Sequence, residues 1–206
     1  MKEIIVNNLI IRIKKKHSNL NQIKLEEIKY GLYGLYTLIT KTLAIILLTI
    51  LLNFFKPFIK FFILYGILRG VGYGTHAKSN IECWIFSTIL LIGIPYLFNN
   101  LILTNKIKLI LWAICFINYF LFCPADTEKR PMINKMRKLK FKITILLLST
   151  AYLYIIINYK SISNLVIASM ILEALLTNPL GYMLMGQKVR FKLNDFFKFK
   201  QNEKEV

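Results

Sequence analysis

Six apolar runs stand out along the chain, at 36–55, 57–69, 81–103, 107–122, 143–157 and 164–185, separated by short polar segments. A helix needs roughly 20 mostly apolar residues to cross a hydrocarbon core of about 30 Å. The first, third and sixth runs meet that length, and the fourth and fifth fall slightly short. The second gives a helix of about 20 Å at 1.5 Å per residue. It runs into Arg69-Gly70-Val71-Gly72-Tyr73-Gly74-Thr75-His76, where three glycines make a continuous helix costly. This run therefore reads as short or re-entrant, with its glycine loop dipping into the inner leaflet. Irregular backbone is tolerated at that depth only where protein or a wet cavity surrounds it. The loop is thus a candidate pocket.

The first 16 residues follow a different rhythm. Ile5, Val6, Leu9, Ile10 and Ile13 alternate at helical spacing with Asn8, Arg12, Lys15 and Lys16, which predicts an amphipathic helix lying in the membrane interface. A packing helix at a homodimer contact fits the same pattern. Asn19 with Gln22 forms a capping signal for a second helix running to Tyr30. The predicted organisation is one integral membrane domain over 1–206. Amphipathic cytoplasmic or interfacial helices occupy 1–30, a transmembrane bundle 31–186, and a basic cytoplasmic tail 187–206. The fold class is all-α, a polytopic helical membrane protein of about six transmembrane segments.

Composition adds weight to this picture and charge gives it a direction. Hydrophobic residues make up 56% of the 206, which leaves no room for a water-soluble domain of any size. The start, Met1-Lys2-Glu3, does not predict a cleavable signal peptide. Of the 28 Lys and Arg, 22 fall in segments on one side of a six-crossing arrangement and five on the other, with Lys41 inside the first run. Positive residues stay cytoplasmic during insertion, so both termini are expected in the cytoplasm, beneath the cell membrane. Lys41 can snorkel to the interface. The net charge of +18 points to anionic lipid headgroups or an acidic partner. No nucleic-acid motif accompanies it, so nucleic acid is not expected as a partner. Three cysteines and two histidines without CxxC or clustered ligands predict no metal and no other cofactor.

The candidate chemistry lies around the glycine loop. Ser79-Asn80-Ile81-Glu82 is a capping box opening the third apolar run, and it puts Cys83 in the first turn of a membrane helix. Unpaired N–H groups and the helix dipole stabilise a thiolate there. On one continuous helix His76 and Cys83 would stand about 10 Å apart, too far for proton transfer. With His76 in a loop ahead of the cap, the chain can fold back and bring imidazole to sulfur. A Cys activated by a neighbouring His is equipped for acyl transfer; a buried Cys acting as a small apolar filler is the plainer reading. Glu173 sits near the middle of the last run, where an ionisable residue is costly and a functional candidate by default. Three roles are open for it: orienting His76, holding Arg69 or a substrate group, or making a structural hydrogen bond. Cys115 reads as packing, and Cys123 has no evident base nearby.

Arg69-Gly-Val-Gly-Tyr-Gly-Thr-His-Ala77 followed by Cys83 resembles the signature of the accessory gene regulator B (AgrB) family. Pro124-Ala-Asp-Thr-Glu-Lys-Arg-Pro131 and Leu172-Glu-Ala174 resemble further family segments, and the length, charge and hydropathy profile agree. The resemblance implies a membrane cysteine endopeptidase acting on the cytoplasmic side. Its substrate would be an AgrD-type autoinducer propeptide, cleaved at its C-terminal tail through a thioester on Cys83 and cyclised to a thiolactone signalling peptide. By the same resemblance His76 is the base, Arg69 and Gly74 match positions needed for activity, and Lys129 and Arg130 open a loop implicated in peptide processing. Two departures stand beside it. Cys123 precedes Pro124 where another residue type is expected, and the glycines cannot be matched position by position. A non-catalytic membrane conduit or scaffold for a secreted peptide is the alternative from another class.

Overall fold

The computed structural model describes residues 2–17, 20–74, 80–125 and 134–184, without the side chains of Asn80 and Cys83. Among them are eight helices and no strand: α1 (Lys2–Lys16), α2 (Gln22–Leu51), α3 (Phe55–Gly72), α4 (Asn80–Asn100), α5 (Asn105–Phe122), α6 (Lys135–Asn158), α7 (Lys160–Thr177) and α8 (Pro179–Leu184). They form two compact units, Met1–Asn53 and Phe54–Val206.

In the first unit α1 packs against α2. Val6 is buried, and the Lys2 ammonium lies 5.0 Å from the centre of the Tyr33 ring. The second helix expected from Gln22 and the first apolar run are one continuous helix, with no break at Gly31 or Gly34. The hydroxyls of Thr37 and Thr40 donate to the carbonyls of Tyr33 and Tyr36, each at 2.9 Å. These bonds satisfy the polar groups within the helix itself, as an apolar surround demands.

The second unit is organised around α7, which touches α3, α4, α5, α6 and α8. Two thirds of its residues are buried, Glu173 among them. Small residues at Ser163, Ala168, Ser169 and Ala174 let neighbouring backbones come close, the usual basis of helix association in lipid. Polar tips inside the unit find backbone acceptors. Tyr119 donates to the Met170 carbonyl at 2.7 Å, Tyr152 to Leu64 at 2.8 Å, and the Trp112 indole N–H to Ser149 at 2.9 Å. At the far end of α7 the Asn164 amide donates to the carbonyls of Phe98 and Leu101, at 3.1 and 2.7 Å. It thereby satisfies acceptors that the end of α4 leaves open. The Lys108 ammonium donates to Ser163 Oγ at 2.6 Å.

Four helices, α2, α5, α6 and α7, are long and apolar enough to cross a membrane, and α4 contributes a shorter apolar stretch, Trp84–Asn100. The chain is a membrane protein by this measure. The sequence reading stopped the second run at residue 69, but α3 continues through Gly70 and Gly72 for 18 residues, a length of about 27 Å. The helix survives its glycines because Gly72 is buried against α7 and α6, so packing offsets their entropic cost. The last run divides in two. Pro179 lacks the N–H needed to continue α7, and Asn178 Oδ1 accepts from the Leu180 N–H at 2.9 Å as α8 begins.

A buried Arg–Glu pair beneath the glycine turn

The end of α3 is shaped by what lies beneath it. The helix is closed by Tyr73, whose N–H donates to the Arg69 carbonyl at 3.4 Å. Tyr73 has φ +67° and Gly74 φ +31°, so the chain leaves the helix through two consecutive left-handed residues. For Tyr73 this conformation is costly and persists only where surroundings enforce it. The surroundings are visible: the Tyr73 ring packs edge-on against Phe141 of α6 at 5.0 Å between centroids. The Arg137 guanidinium lies 5.6 Å from the other ring.

Under this turn lies an ion pair. Arg69 Nη1 stands 3.7 Å from Glu173 Oε2, with the Arg69 side chain 21% exposed and the Glu173 side chain fully buried. Neither carboxylate oxygen has a hydrogen-bond donor within reach among the described residues. The contact is therefore a charge pairing rather than a bidentate bond, and the carboxylate lacks the hydrogen bonds that normally offset such burial. Two glycines fit onto the two charged heads. A Cβ on Gly72 would overlap the Glu173 carboxylate and stand 3.1 Å from Ile145 Cδ1. A Cβ on Gly74 would overlap the Arg69 guanidinium and stand 3.1 Å from Leu176.

Two further contacts surround the pair. The Ala125 N–H donates to the Gly72 carbonyl at 2.9 Å, which ties the segment after α5 to the glycine turn. Thr177 Oγ1 donates to the Glu173 carbonyl at 2.9 Å and lies 3.3 Å from Asn118 Oδ1. Cys123 is 3% exposed, in the same core cluster as Leu68, Tyr119 and Met170. Burial, and then the nearby Glu173, push its thiol well up, which makes it a poor nucleophile. Cys115 is likewise buried in that cluster. Packing accounts for both.

The structure thus brings together three of the residues singled out from the sequence, Arg69, Gly74 and Glu173. It pairs Glu173 with Arg69, one of its three open roles. Helix α4 is described from Asn80 onward and includes Cys83, while the residue expected to cap it, Ser79, lies outside the described residues. His76, Lys129 and Arg130 lie outside them as well. Gly72 was missed as an individual position, because spacing alone cannot tell which glycine of three faces a neighbour. Among the described residues no three His, Cys, Asp or Glu side chains are grouped to hold a metal ion.

The chain matches the family model of accessory gene regulator B over residues 6–177. A putative AgrB-like protein of Listeria innocua is 31% identical over 120 residues, 57% of this chain and 59% of that protein. The match therefore spans less than two thirds of the length of the Listeria relatives. The accessory gene regulator protein B of Staphylococcus carnosus is 31% identical over 130 residues, 63% of this chain and 68% of its own. That of Staphylococcus epidermidis is 27% identical over 168 residues, 82% and 87% of the two chains. No solved structure matches.

Proposed function

Since this chain belongs to the accessory gene regulator B family, we propose that it is a membrane cysteine endopeptidase. It cleaves the C-terminal tail from an AgrD-type propeptide and promotes closure of the remaining fragment to a thiolactone. Cys83 is the nucleophile and His76 its base. Both termini, the glycine loop and the loop carrying Lys129 and Arg130 face the cytoplasm, where those two cations bind the propeptide's acidic tail.

The observation that carries this reading is the family match over residues 6–177; within it the Ser79–Glu82 capping box reads as the opening of α4, with Cys83 in the first turn of that helix. Orphan N–H groups and the helix dipole favour a thiolate at such a position. The two described alternatives, Cys115 and Cys123, are packed into the core. The Cys83 thiolate attacks the scissile carbonyl, and the imidazolium of His76 protonates the departing amine. This leaves a thioester between Cys83 and the N-terminal fragment. An internal Cys of that fragment attacks the thioester, forms the ring and releases Cys83. Exchange of one thioester for another is near thermoneutral, whereas forming one from an amide is uphill, so release of the tail draws the sequence forward. Exclusion of water protects the acyl-enzyme from hydrolysis.

Single substitutions test the assignment. Cys83→Ala and His76→Ala should each abolish cleavage at unchanged protein level, because members of one catalytic unit fail together. Cys115→Ala and Cys123→Ala should retain it. Cleavage that survives Cys83→Ala would return the protein to a conduit or scaffold.

A further inference from the structure

We infer that Glu173 is a positioning residue for this reaction: through Arg69 it holds the Gly72–Gly74 turn from which the His76 loop departs. The inference rests on the endopeptidase reading above, and it concerns how the loop is held rather than which groups react.

Three observations on the page lead to it. The first is the setting of the carboxylate. Glu173 is fully buried on α7 with Arg69 at 3.7 Å and no hydrogen-bond donor in reach among the described residues. A pair of this kind adds little to stability, and well-packed apolar side chains of similar volume commonly serve a fold as well. The second is the fit of the backbone. The turn is moulded onto both charged heads, with Gly72 against the carboxylate and Gly74 against the guanidinium. A shift of either head moves the turn. The third is backbone strain. Tyr73 holds positive φ, a conformation that in a non-glycine residue lasts only where the surroundings determine it. Phe141 braces the ring of Tyr73 from one side, and the ion pair supports the backbone from below.

His76 follows Gly74 by two residues, so the turn sets where its loop begins. The Ala125 bond to the Gly72 carbonyl ties the chain, four residues before Lys129, to the same turn. The pair is therefore the common base of the segment carrying the general acid–base and the segment carrying the tail-binding cations. Glu173 touches neither the thiol nor the scissile bond in this account. It acts through position alone.

The test uses the full chain in lipid nanodiscs and a synthetic propeptide. It measures thermal melting, kcat and KM for Glu173→Gln, Glu173→Asp and the double replacement Arg69→Met/Glu173→Leu. The double variant removes both charges and leaves neither one buried alone. The expected result is a double variant that melts at or above the parent but has lost kcat on the order of a hundredfold, the scale of a displacement of about 1 Å. Its KM should stay within about threefold. Glu173→Gln should show the same split, and Glu173→Asp should recover part of the rate. A double variant that folds and turns over at the parent rate would overturn the inference, and so would one that fails to fold, since the pair would then serve stability. Cys83→Ala is measured alongside. Cleavage retained there sinks the endopeptidase reading, whereas a dead Cys83→Ala beside a fully active double variant sinks only the role of Glu173.

Discussion

Gly72 and Glu173 occupy one another's space so closely that a single methyl group on the glycine would overlap the carboxylate. This contact joins the last turn of α3 to the C-terminal part of α7 and decides what each position tolerates. Gly70, two residues earlier on the same helix, has open space where its Cβ would stand.

The two glycines should therefore respond in opposite ways to Ala. Gly70→Ala should be neutral or stabilising by about 0.4–1 kcal/mol, because it restricts the unfolded chain at no steric cost. Gly72→Ala should be destabilising by about 1–3 kcal/mol, the usual range for overpacking a filled interior. Melting of the purified protein in one detergent, scored as the difference between the two variants, checks this. Equal melting temperatures would mean that Gly72 is not pressed against α7.

Orientation can be read from two exposed positions. Ile102, between α4 and α5, is 98% exposed, and Asn134, which caps α6 by accepting from Met136 and Arg137, is exposed as well. In a background lacking Cys83, Cys115 and Cys123, a cysteine at 102 should react with an impermeant maleimide on intact cells. A cysteine at 134 should react only after the cells are opened. The excess of Lys and Arg on one side motivates this assignment. Strong labelling of position 134 from outside would reverse the topology.

An acyl-enzyme that waits for an internal thiol should be possible to trap. A propeptide with its internal Cys replaced by Ala cannot close a ring, so enzyme joined to the N-terminal fragment should accumulate. The adduct should run as a heavier band, disappear with hydroxylamine and never form on Cys83→Ala. With His76→Ala it should form about a hundredfold more slowly, the typical worth of general acid–base help. Rapid conversion of the altered propeptide to free linear peptide would mean that water reaches the thioester easily.

The apolar runs were legible because a membrane span must be continuous and uncharged, and that demand is written in order along the chain. Their arrangement was not. Lipid-facing and protein-facing apolar residues look alike in composition, so nothing in the runs themselves made α7 the centre; its Ser163, Ala168, Ser169 and Ala174 are the trace that close packing leaves. A helix ending at Tyr30 was expected apart from the first span, yet α2 runs from Gln22 to Leu51 without a break at Gly31 or Gly34. Glu173 was legible as an anomaly, since an acid in an apolar span needs an explanation. Its partner was not, because Arg69 lies four helices away and only the folded unit brings the two together. The reach of α3 through Gly72 was hidden for a related reason, since the contact that offsets the glycine's cost comes from α7.

That α7 sits at the centre has a consequence for biosynthesis. It leaves the ribosome after α3, α4, α5 and α6, so those helices are made before the element that gathers them exists. The Glu173 carboxylate that pairs with Arg69 is among the last parts of the bundle to be translated. A nascent chain that stops short of residue 173 lacks that counter-charge. Completion of the bundle and completion of the Arg69–Glu173 pair are then a single event.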